Sequence, residues 1–249
     1  MFTTTAVSLT DVGLKRARNE DSHLMMPDGS LFAVADGVGG NENGDKASQL
    51  AVHTIEEKYR YHQRAFGENL VDSQLVVSQL MKDSHRAIAK VNQRNGTNMC
   101  TTLDVLLFHH EFAVLGHLGD SRIYRFRDGQ LLKLTRDHTL YEHLMISGRK
   151  SELPLYPRAK HTLTASVGVG LFTEPDLKTL HLQDNDIFLM MSDGIYNDNE
   201  DTAIESILKN EKNMDEVCQA LKANCYQGGA GDNLTVILVE VNALEDRYG

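Results

Sequence analysis

The sequence is poor in cysteine and contains no long apolar run. Its cysteines, Cys100, Cys218 and Cys225, are odd in number and form no CxxC pair. They therefore favour neither a disulfide framework nor a thiolate zinc site, and they are typical of a reducing compartment. No apolar stretch approaches the roughly 18 residues of a membrane span, and the first residues lack a charged start followed by an apolar core. We therefore expect a cytoplasmic protein with no membrane partner.

Positive charge is also in the minority. The 249 residues include 25 lysines and arginines against 35 aspartates and glutamates, which gives a formal net charge of −10. General binding to nucleic acid or to anionic membranes requires clustered positive charge, so we expect neither partner. A chain of this length can bury a large core, and we expect a single domain over residues 1–249.

Strand and helix patterns are grouped in blocks along the chain. The predicted strands are residues 4–10, 22–26, 31–36, 103–108, 112–117, 122–127, 130–134, 187–191 and 233–241, and the predicted helices are 45–63, 69–93, 199–210 and 214–225. Residues 103–134 are expected to form one antiparallel meander, and 138–170 a short helix with an irregular excursion. Blocks of this kind indicate an α+β fold with antiparallel sheets and segregated helices.

The dipeptide Asp-Gly occurs four times, in two different contexts. Asp28-Gly29 and Asp128-Gly129 lie between paired strands, where they predict hairpin turns. Asp36-Gly37 and Asp193-Gly194 follow the two most apolar strands and lead into something other than a returning strand. This second pair has no evident structural purpose, so we interpret both copies as parts of a site.

Four carboxylates at strand boundaries predict that site to be a metal centre. Asp120 and Asp232 occupy boundaries similar to those of Asp36 and Asp193, and all four can converge on one rim of a sheet sandwich. A bare carboxylate beside apolar packing is costly unless it is paired or bound to a cation. For any one of them, a solvated turn is the alternative. Oxygen ligands without histidine or cysteine select magnesium or manganese over zinc or copper.

The loop over residues 10–21 adds a phosphate-binding element. Lys15, Arg16 and Arg18 lie within a few residues of Glu20 and Asp21. One loop can therefore place a guanidinium beside the metals, where its planar fork grips a pair of phosphate oxygens. The alternative for Arg16 is a surface cation paired with Glu20 or Asp21.

Seven motifs stand in the order found in one enzyme family. They resemble those of the metal-dependent serine/threonine protein phosphatases of type 2C (the PPM family), in particular its compact bacterial branch, and the match runs from about residue 8 to 241. The motifs are Arg16-Ala17-Arg18-Asn19-Glu20-Asp21, Val34-Ala35-Asp36-Gly37-Val38-Gly39-Gly40, Thr101-Thr102-Leu103, Gly119-Asp120-Ser121-Arg122, Leu134-Thr135-Arg136-Asp137-His138, Ser192-Asp193-Gly194 and Gly231-Asp232-Asn233-Leu234-Thr235-Val236.

The resemblance implies an α-β-β-α sandwich of two packed antiparallel sheets flanked by helices. It also implies two to three manganese or magnesium ions. Asp36 is then expected to bridge two of them, and the Gly37 carbonyl with Asp193 and Asp232 to complete their protein ligands. Asp120 is expected to hold a third ion together with Asp193.

The resemblance implies the reaction as well. A hydroxide that bridges the metals is expected to attack the phosphorus of phosphoserine or phosphothreonine directly, without a phosphoenzyme. In this scheme Arg16 binds the phosphoryl group. Glu20 and Asp21 are expected to contact the metal ligands or to reach the metals through water. The expected partners are phosphorylated proteins, in opposition to a serine/threonine kinase, and the expected state is a monomer.

Three departures from the family pattern matter. Family members often carry a histidine just after the Asp-Gly pair or the glycine bend, where a proton donor has been proposed, but this chain has Val38 and Asn41. The general acid is therefore unassigned, and water on the third ion is expected to protonate the leaving alkoxide. Cys100 stands where a glycine usually precedes the Thr-Thr pair. The excursion at 147–165 departs from the usual flap of the family, with Ala165-Ser166-Val167 where an Arg-Ala-Leu is common.

Two other functions remain open at this point. A regulatory pseudophosphatase would bind phosphoprotein without turnover, but such a protein is expected to have lost metal ligands, and all four aspartates are present. A two-metal nuclease is disfavoured by the negative net charge. Turnover of a phosphopeptide with manganese, beside a nuclease assay, separates the three.

Overall fold

The computed structural model describes residues 2–38, 43–63 and 70–243, and Gly39, Gly40, Asn41 and Asn69 lie outside the described residues. The strands are β1 Phe2–Asp11, β2 Asp21–Met25, β3 Leu31–Asp36, β4 Leu103–His109, β5 Phe112–Leu118, β6 Arg122–Arg127, β7 Gln130–Lys133, β8 Asp176–His181, β9 Ile187–Met191 and β10 Leu234–Ala243. The helices are α1 Gly44–Gln63, α2 Leu70–Asn95, α3 Leu140–Ile146, α4 Asp193–Tyr196, α5 Asp201–Asn210 and α6 Met214–Gly228, with 3₁₀ turns at Lys150–Leu155 and Ala159–His161.

Two five-stranded antiparallel sheets form the centre of the molecule. Their strand orders are β1-β10-β9-β6-β7 and β2-β3-β4-β5-β8. The helices α1 and α2 cover the second sheet, and α5 and α6 cover the first. This is the α-β-β-α sandwich that the resemblance implies.

Strand periodicity distributes the apolar side chains among three layers. In β3, Leu31 and Ala33 pack toward α1 and α2, whereas Phe32 and Val34 pack between the two sheets. Because successive side chains of a strand point to opposite faces, Asp36 belongs to the face of Phe32 and Val34. The carboxylate therefore lies at the rim of the layer between the sheets.

The prediction of a single meander over residues 103–134 is wrong. The hairpin of β4 and β5 belongs to one sheet, and the hairpin of β6 and β7 belongs to the other. Residues 119–121 carry the chain across the sandwich between β5 and β6. Local β-propensity does not encode which sheet a strand joins, so the pattern in sequence looked continuous. The crossover also explains why Asp120 lies at the rim.

Two elements were not predicted. The edge strand β8 pairs with β5, and its outward-facing residues leave little apolar signal. The single-turn helix α4 begins at Asp193, directly after β9. The two hairpin turns predicted at Asp28-Gly29 and Asp128-Gly129 are confirmed by the pairing of β2 with β3 and of β6 with β7. Within the described ranges, no helix has the length and apolar character required to cross a membrane.

Candidate metal centre

The predicted site residues meet at one end of the sandwich. Seven of the eight line one cavity of about 360 Å³: Arg16, Glu20, Asp36, Gly37, Asp120, Asp193 and Asp232. They come from the loop after β1, the end of β3, the crossover after β5, the start of α4 and the residues before β10. The eighth, Asp21, begins β2 directly opposite Asp36 and does not line the cavity.

The backbone of Asp36 is fixed by the Thr-Thr pair. The amide of Asp36 donates to Oγ1 of Thr102 at 2.9 Å, and its carbonyl oxygen accepts from the amide of Thr102 at 2.9 Å. The hydroxyl of Thr101 donates to the same carbonyl at 2.8 Å. The carboxylate of Asp36 is therefore presented from a rigid position, because both threonines form hydrogen bonds to the backbone of Asp36.

The interpretation that the Asp-Gly copies at Gly37 and Gly194 have no structural purpose is wrong. A β-carbon on Gly37 would overlap the carbonyl oxygen of Gly44, and one on Gly194 would overlap the carbonyl oxygen of Asn233. Neither Gly37 nor Gly194 has a positive φ. Glycine is required at both positions because another backbone segment lies too close for a β-carbon. The two Asp-Gly copies thus combine a site carboxylate with a tight packing contact.

Asp21 connects the two sheets behind the cavity. The hydroxyl of Ser192, which follows β9 in one sheet, donates to Oδ2 of Asp21 at 2.7 Å in the other. In the described part of the chain, Oδ1 of Asp21 is buried and has no hydrogen-bond partner. A buried carboxylate oxygen without a donor is costly, and a nearby cation compensates for it.

Burial and, after it, mutual charge repulsion raise the pKa values of the carboxylates. Burial, followed by the charges of Asp21 and Asp193, raises the pKa of Asp36 well above its ordinary value. Burial and then Asp193 raise the pKa of Asp120 to about 7. Burial and then Asp232 raise the pKa of Asp193 to about 6, against the lowering effect of His161. Burial also raises the pKa of Asp21 to about 7. Such mutual repulsion is what a bound divalent cation relieves.

Arg16 pairs with a predicted metal ligand rather than with the acids of its own loop. Its Nη2 donates to Oδ2 of Asp232 at 2.7 Å, so the suggested pairing with Glu20 or Asp21 is not observed. Asn233 fixes this loop: its amide group donates to the carbonyls of Val12 and Arg18, each at 2.9 Å, and its Oδ1 accepts from the amide of Glu20 at 2.8 Å.

Sequence reasoning missed the residues that the excursion over 147–165 contributes. Arg158, His161 and Leu163 line the same cavity as the carboxylates. No motif surrounds them, and the only available signal was that a long irregular segment often shapes a binding face. Val38, at one position where a family histidine is expected, also lines the cavity. Asn41, the other such position, lies outside the described residues.

The donor set fits a hard divalent cation. The cavity offers carboxylates and the backbone of Gly37, and Oδ1 of Asp21 lies unpartnered behind it. As they stand, no three acidic, histidine or cysteine side chains of the described residues are arranged as a closed ligand cluster. Arg16 holds one of the carboxylates instead.

The chain is similar to known proteins along nearly its whole length. The family model of protein phosphatase 2C matches residues 15–227. The serine/threonine phosphatase stp of Listeria welshimeri is 30% identical over 243 residues, which cover 95% of each chain. The protein phosphatase PhpP of Streptococcus pneumoniae is 30% identical over 248 residues, covering 94% of this chain and 96% of that protein. A similar fold is seen in the crystal structure of the catalytic domain of the serine/threonine protein phosphatase PstP in complex with two manganese ions. The two structures superpose with a TM-score of 0.83 and 29% sequence identity, and the match covers 98% of this chain and 100% of the PstP chain.

The chain therefore belongs to the protein phosphatase 2C family. It is a metal-dependent serine/threonine protein phosphatase, a hydrolase that depends on manganese or magnesium. The predicted family, fold class and cofactor class are confirmed. The roles of the individual site residues stay predictions.

Proposed function

We propose that this chain hydrolyses phosphoserine and phosphothreonine in proteins, using the rim cavity as its active site. The observation that carries the proposal is the meeting of Asp36, Asp193 and Asp232 with Arg16 in one cavity. Carboxylates and a guanidinium together provide cation ligands and a phosphate clamp, which is the pair of functions that phosphoryl transfer requires.

Four residues would hold the two central ions: Asp36, Asp193 and Asp232 through carboxylates, and Gly37 through its carbonyl oxygen. Asp120 and Asp193 would hold a third. When bound, such ions supply a water nucleophile at neutral pH and neutralise phosphoryl oxygens. The Thr101 and Thr102 hydrogen bonds to the Asp36 backbone support this assignment, because they hold the ligand in place before an ion arrives.

Arg16 would bind and orient the phosphoryl group. Its guanidinium is tied to Asp232, and the loop that carries it is held by Asn233. Binding of a cation by Asp232 would release the guanidinium, which can then form its bidentate pair with phosphate oxygens. Glu20, which lines the cavity, and Asp21, which lies behind it, would support the ions through water.

The wider setting belongs to the same proposal. We propose a single catalytic domain over residues 1–249, because the described residues that line the cavity extend along the sequence from Arg16 to Asn233. We also propose that it acts as a monomer. The free cysteines Cys100, Cys218 and Cys225 support action in the cytoplasm. The substrates would be products of a serine/threonine kinase, because that class of reaction forms the phosphoester that this enzyme removes.

The test is turnover of a phosphothreonine peptide after chelation and after addition of metal. We expect chelation to remove activity, manganese or magnesium to restore it, and calcium to restore it poorly, because its looser coordination holds a compact site less well. Asp193→Asn serves as the inactive control. Full activity after exhaustive chelation excludes the proposal. Phosphopeptide binding without turnover in the manganese-loaded wild type would favour a pseudophosphatase, and cleavage of DNA or RNA a nuclease.

A further inference from the structure

The excursion after β7 brings one histidine to the mouth of the cavity. His161 ends the 3₁₀ turn Ala159–His161 and is exposed to solvent. It lines the metal cavity together with Asp36, Asp193 and Arg16. It also lines an adjoining cavity of about 640 Å³. His161 thus lies at the junction between the space for the phosphoryl group and a larger space beside it.

The adjoining cavity has room for the part of a substrate that carries the phosphate. It shares Asp120, His161 and Asp193 with the metal cavity, and its other lining residues include Tyr141, Tyr196 and Lys160. A phosphorylated side chain that reaches the metals from this cavity has its ester oxygen near the shared boundary. That boundary is where His161 lies.

His161 also lies on the side of the site where the leaving oxygen of a phosphate ester is expected. In phosphoryl transfer the attacking and leaving oxygens are roughly in line, on opposite sides of phosphorus. The carboxylates of Asp36 and Asp193 lie deep in the site, whereas His161 is exposed at its entrance. An attack from the side of the carboxylates therefore directs the leaving oxygen toward the entrance.

Other groups at this boundary are poorly suited to donate a proton. Arg158 lines the metal cavity, but a guanidinium does not deprotonate in proteins. The hydroxyl of Tyr196 already donates to the carbonyl oxygen of Asp120 at 2.8 Å. Lys160 lines only the adjoining cavity, and an ammonium is a weaker acid than an imidazolium.

His161 is also distinguished among the histidines. The side chains of ten histidines are described, and of these only His161 lines the metal cavity. In the described part of the chain its imidazole has no hydrogen-bond partner or ion-pair partner, so both ring nitrogens are available. The remaining nine are His23, His53, His85, His109, His110, His117, His138, His143 and His181.

We propose that His161 is the general acid that protonates the leaving serine or threonine oxygen. The proposal rests on the proposed function of the cavity. In the step, a water oxygen forms a bond to phosphorus and loses a proton to solvent. The bond from phosphorus to the ester oxygen breaks, and its electron pair stays on that oxygen. The imidazolium of His161 gives its proton to the same oxygen, and solvent later reprotonates the ring. One water is consumed, and a free hydroxyl and inorganic phosphate are released.

The experiment compares two leaving groups in the manganese-loaded enzyme. A serine or threonine alkoxide needs a proton, whereas p-nitrophenolate leaves without one. For His161→Ala and His161→Gln we expect kcat on a phosphothreonine peptide to fall by about 10²-fold, and kcat on p-nitrophenyl phosphate to fall by no more than about threefold. Added imidazole is expected to restore part of the phosphopeptide activity of His161→Ala but not of His161→Gln, which fills the space.

Binding and stability distinguish a proton donor from a structural residue. We expect both variants to keep the wild-type unfolding midpoint, the wild-type manganese affinity in calorimetry and the wild-type affinity for a non-hydrolysable phosphonate peptide. His143→Ala is the matched control, because His143 is exposed in the neighbouring helix α3 and lines neither cavity. It is expected to leave both activities unchanged.

Several results overturn the proposal. These are equal losses on both substrates, no loss on the phosphopeptide, a loss of phosphonate affinity that explains the lower rate, or absence of imidazole rescue. If Asp120→Ala rather than His161→Ala damages phosphopeptide turnover selectively, the donor is water on an ion held by Asp120. Failure of the proposed function itself is distinguishable, because the wild-type enzyme would then hydrolyse neither substrate.

Discussion

The guanidinium of Arg16 donates a hydrogen bond to the carboxylate of Asp232 at 2.7 Å, across 216 positions of sequence. The pair joins the loop after β1 to the residues before β10. One partner is the proposed phosphate clamp and the other a proposed metal ligand, so phosphate binding and metal binding share this contact. Both side chains are substantially exposed, at 42% and 34%, and an ion pair of this kind contributes at most about 1 kcal/mol.

Arg16→Ala is therefore expected to affect the two ligands differently. Loss of the clamp should raise KM for a phosphopeptide by about tenfold or more, with a smaller effect on kcat. Manganese affinity should rise by less than about fivefold, because the cation no longer displaces a weak exposed ion pair. Steady-state kinetics and calorimetry measure the two effects. Arg16→Lys should recover only part of the KM loss, since an ammonium lacks the bidentate fork.

Arg18→Ala is the matched control for Arg16→Ala. Arg18 lies in the same loop, but it does not line the cavity, and it contributes only a backbone carbonyl to the contact with Asn233. It is expected to change KM by less than about twofold. If Arg16→Ala spares KM and lowers manganese affinity, Arg16 is a support for the metal ligands and not a phosphate clamp.

Asp36→Asn should abolish turnover and preserve the fold. The hydrogen bonds from Thr101 and Thr102 reach the backbone of residue 36, so an amide side chain leaves them intact. We expect kcat to fall by about 10³-fold or more, because a proposed metal ligand is lost. We also expect a higher unfolding midpoint for the metal-free variant, since one of the repelling carboxylates is gone. Activity within about tenfold of wild type, at saturating metal, would remove Asp36 from the metal site.

Much of the fold, and the meeting of the candidate site residues at one rim, could be predicted because the relevant signals are local. An apolar run that ends in Asp36-Gly37 or Asp193-Gly194 marks both a strand and its rim, and periodicity assigned the helices to within a few residues. Sheet membership is a long-range property, so the split of the predicted meander at residues 119–121 could not be foreseen. The same holds for Ser192, whose contact with Asp21 spans 171 positions.

The residues contributed by the excursion could not be predicted for a different reason. Arg158 and His161 lie in a segment without regular periodicity, and its path depends on contacts such as that between Leu140 and Thr162. The buried pair of Asp104 and His117 was also missed. A polar residue on a β-strand normally predicts a solvent-facing position, whereas these two face each other between the sheets.

The pair of His117 and Asp104 should be important for stability. Nδ1 of His117 lies 2.6 Å from Oδ1 of Asp104, its Nε2 donates to the carbonyl of Arg136 at 2.9 Å, and both side chains are fully buried. Although burial works against the charged ring, the Asp104 carboxylate raises the pKa of His117. His117→Leu leaves the carboxylate buried and uncompensated, which we expect to cost about 3–5 kcal/mol. The midpoint of thermal unfolding should fall by roughly 10 °C.

The stability of the double variant His117→Leu/Asp104→Leu should be compared with that of His117→Leu. Replacing a buried ion pair by apolar residues is often neutral, so the double variant should recover most of the stability that His117→Leu loses. A single variant with wild-type stability would mean that the contact between His117 and Asp104 does not stabilise the folded protein. The mutation His143→Ala, at an exposed position, controls for the loss of a histidine as such.

The last prediction concerns pH and metal together. In the metal-free protein the pKa values of Asp21 and Asp120 are raised to about 7 and that of Asp193 to about 6, chiefly by burial. An acid whose pKa is higher in the folded state than in the unfolded state binds more protons when folded, so stability falls as pH rises from about 4 to about 7. The raised pKa of His117 acts in the same direction. The metal-free protein should therefore unfold at a midpoint about 5 °C or more higher near pH 5.5 than near pH 8.

Manganese should reverse this dependence, because the ions bind ionised carboxylates and release protons as they do so. Thermal unfolding with chelator and with saturating manganese, each near pH 5.5 and near pH 8, measures both effects. Asp193→Asn should reduce the slope in chelator and weaken the response to manganese, whereas His143→Ala should alter neither. A midpoint in chelator that stays level or rises with pH would show that burial and charge repulsion do not disfavour the ionised carboxylates in the folded protein. The cavity would then lack the unfavourable charge that makes it a cation site.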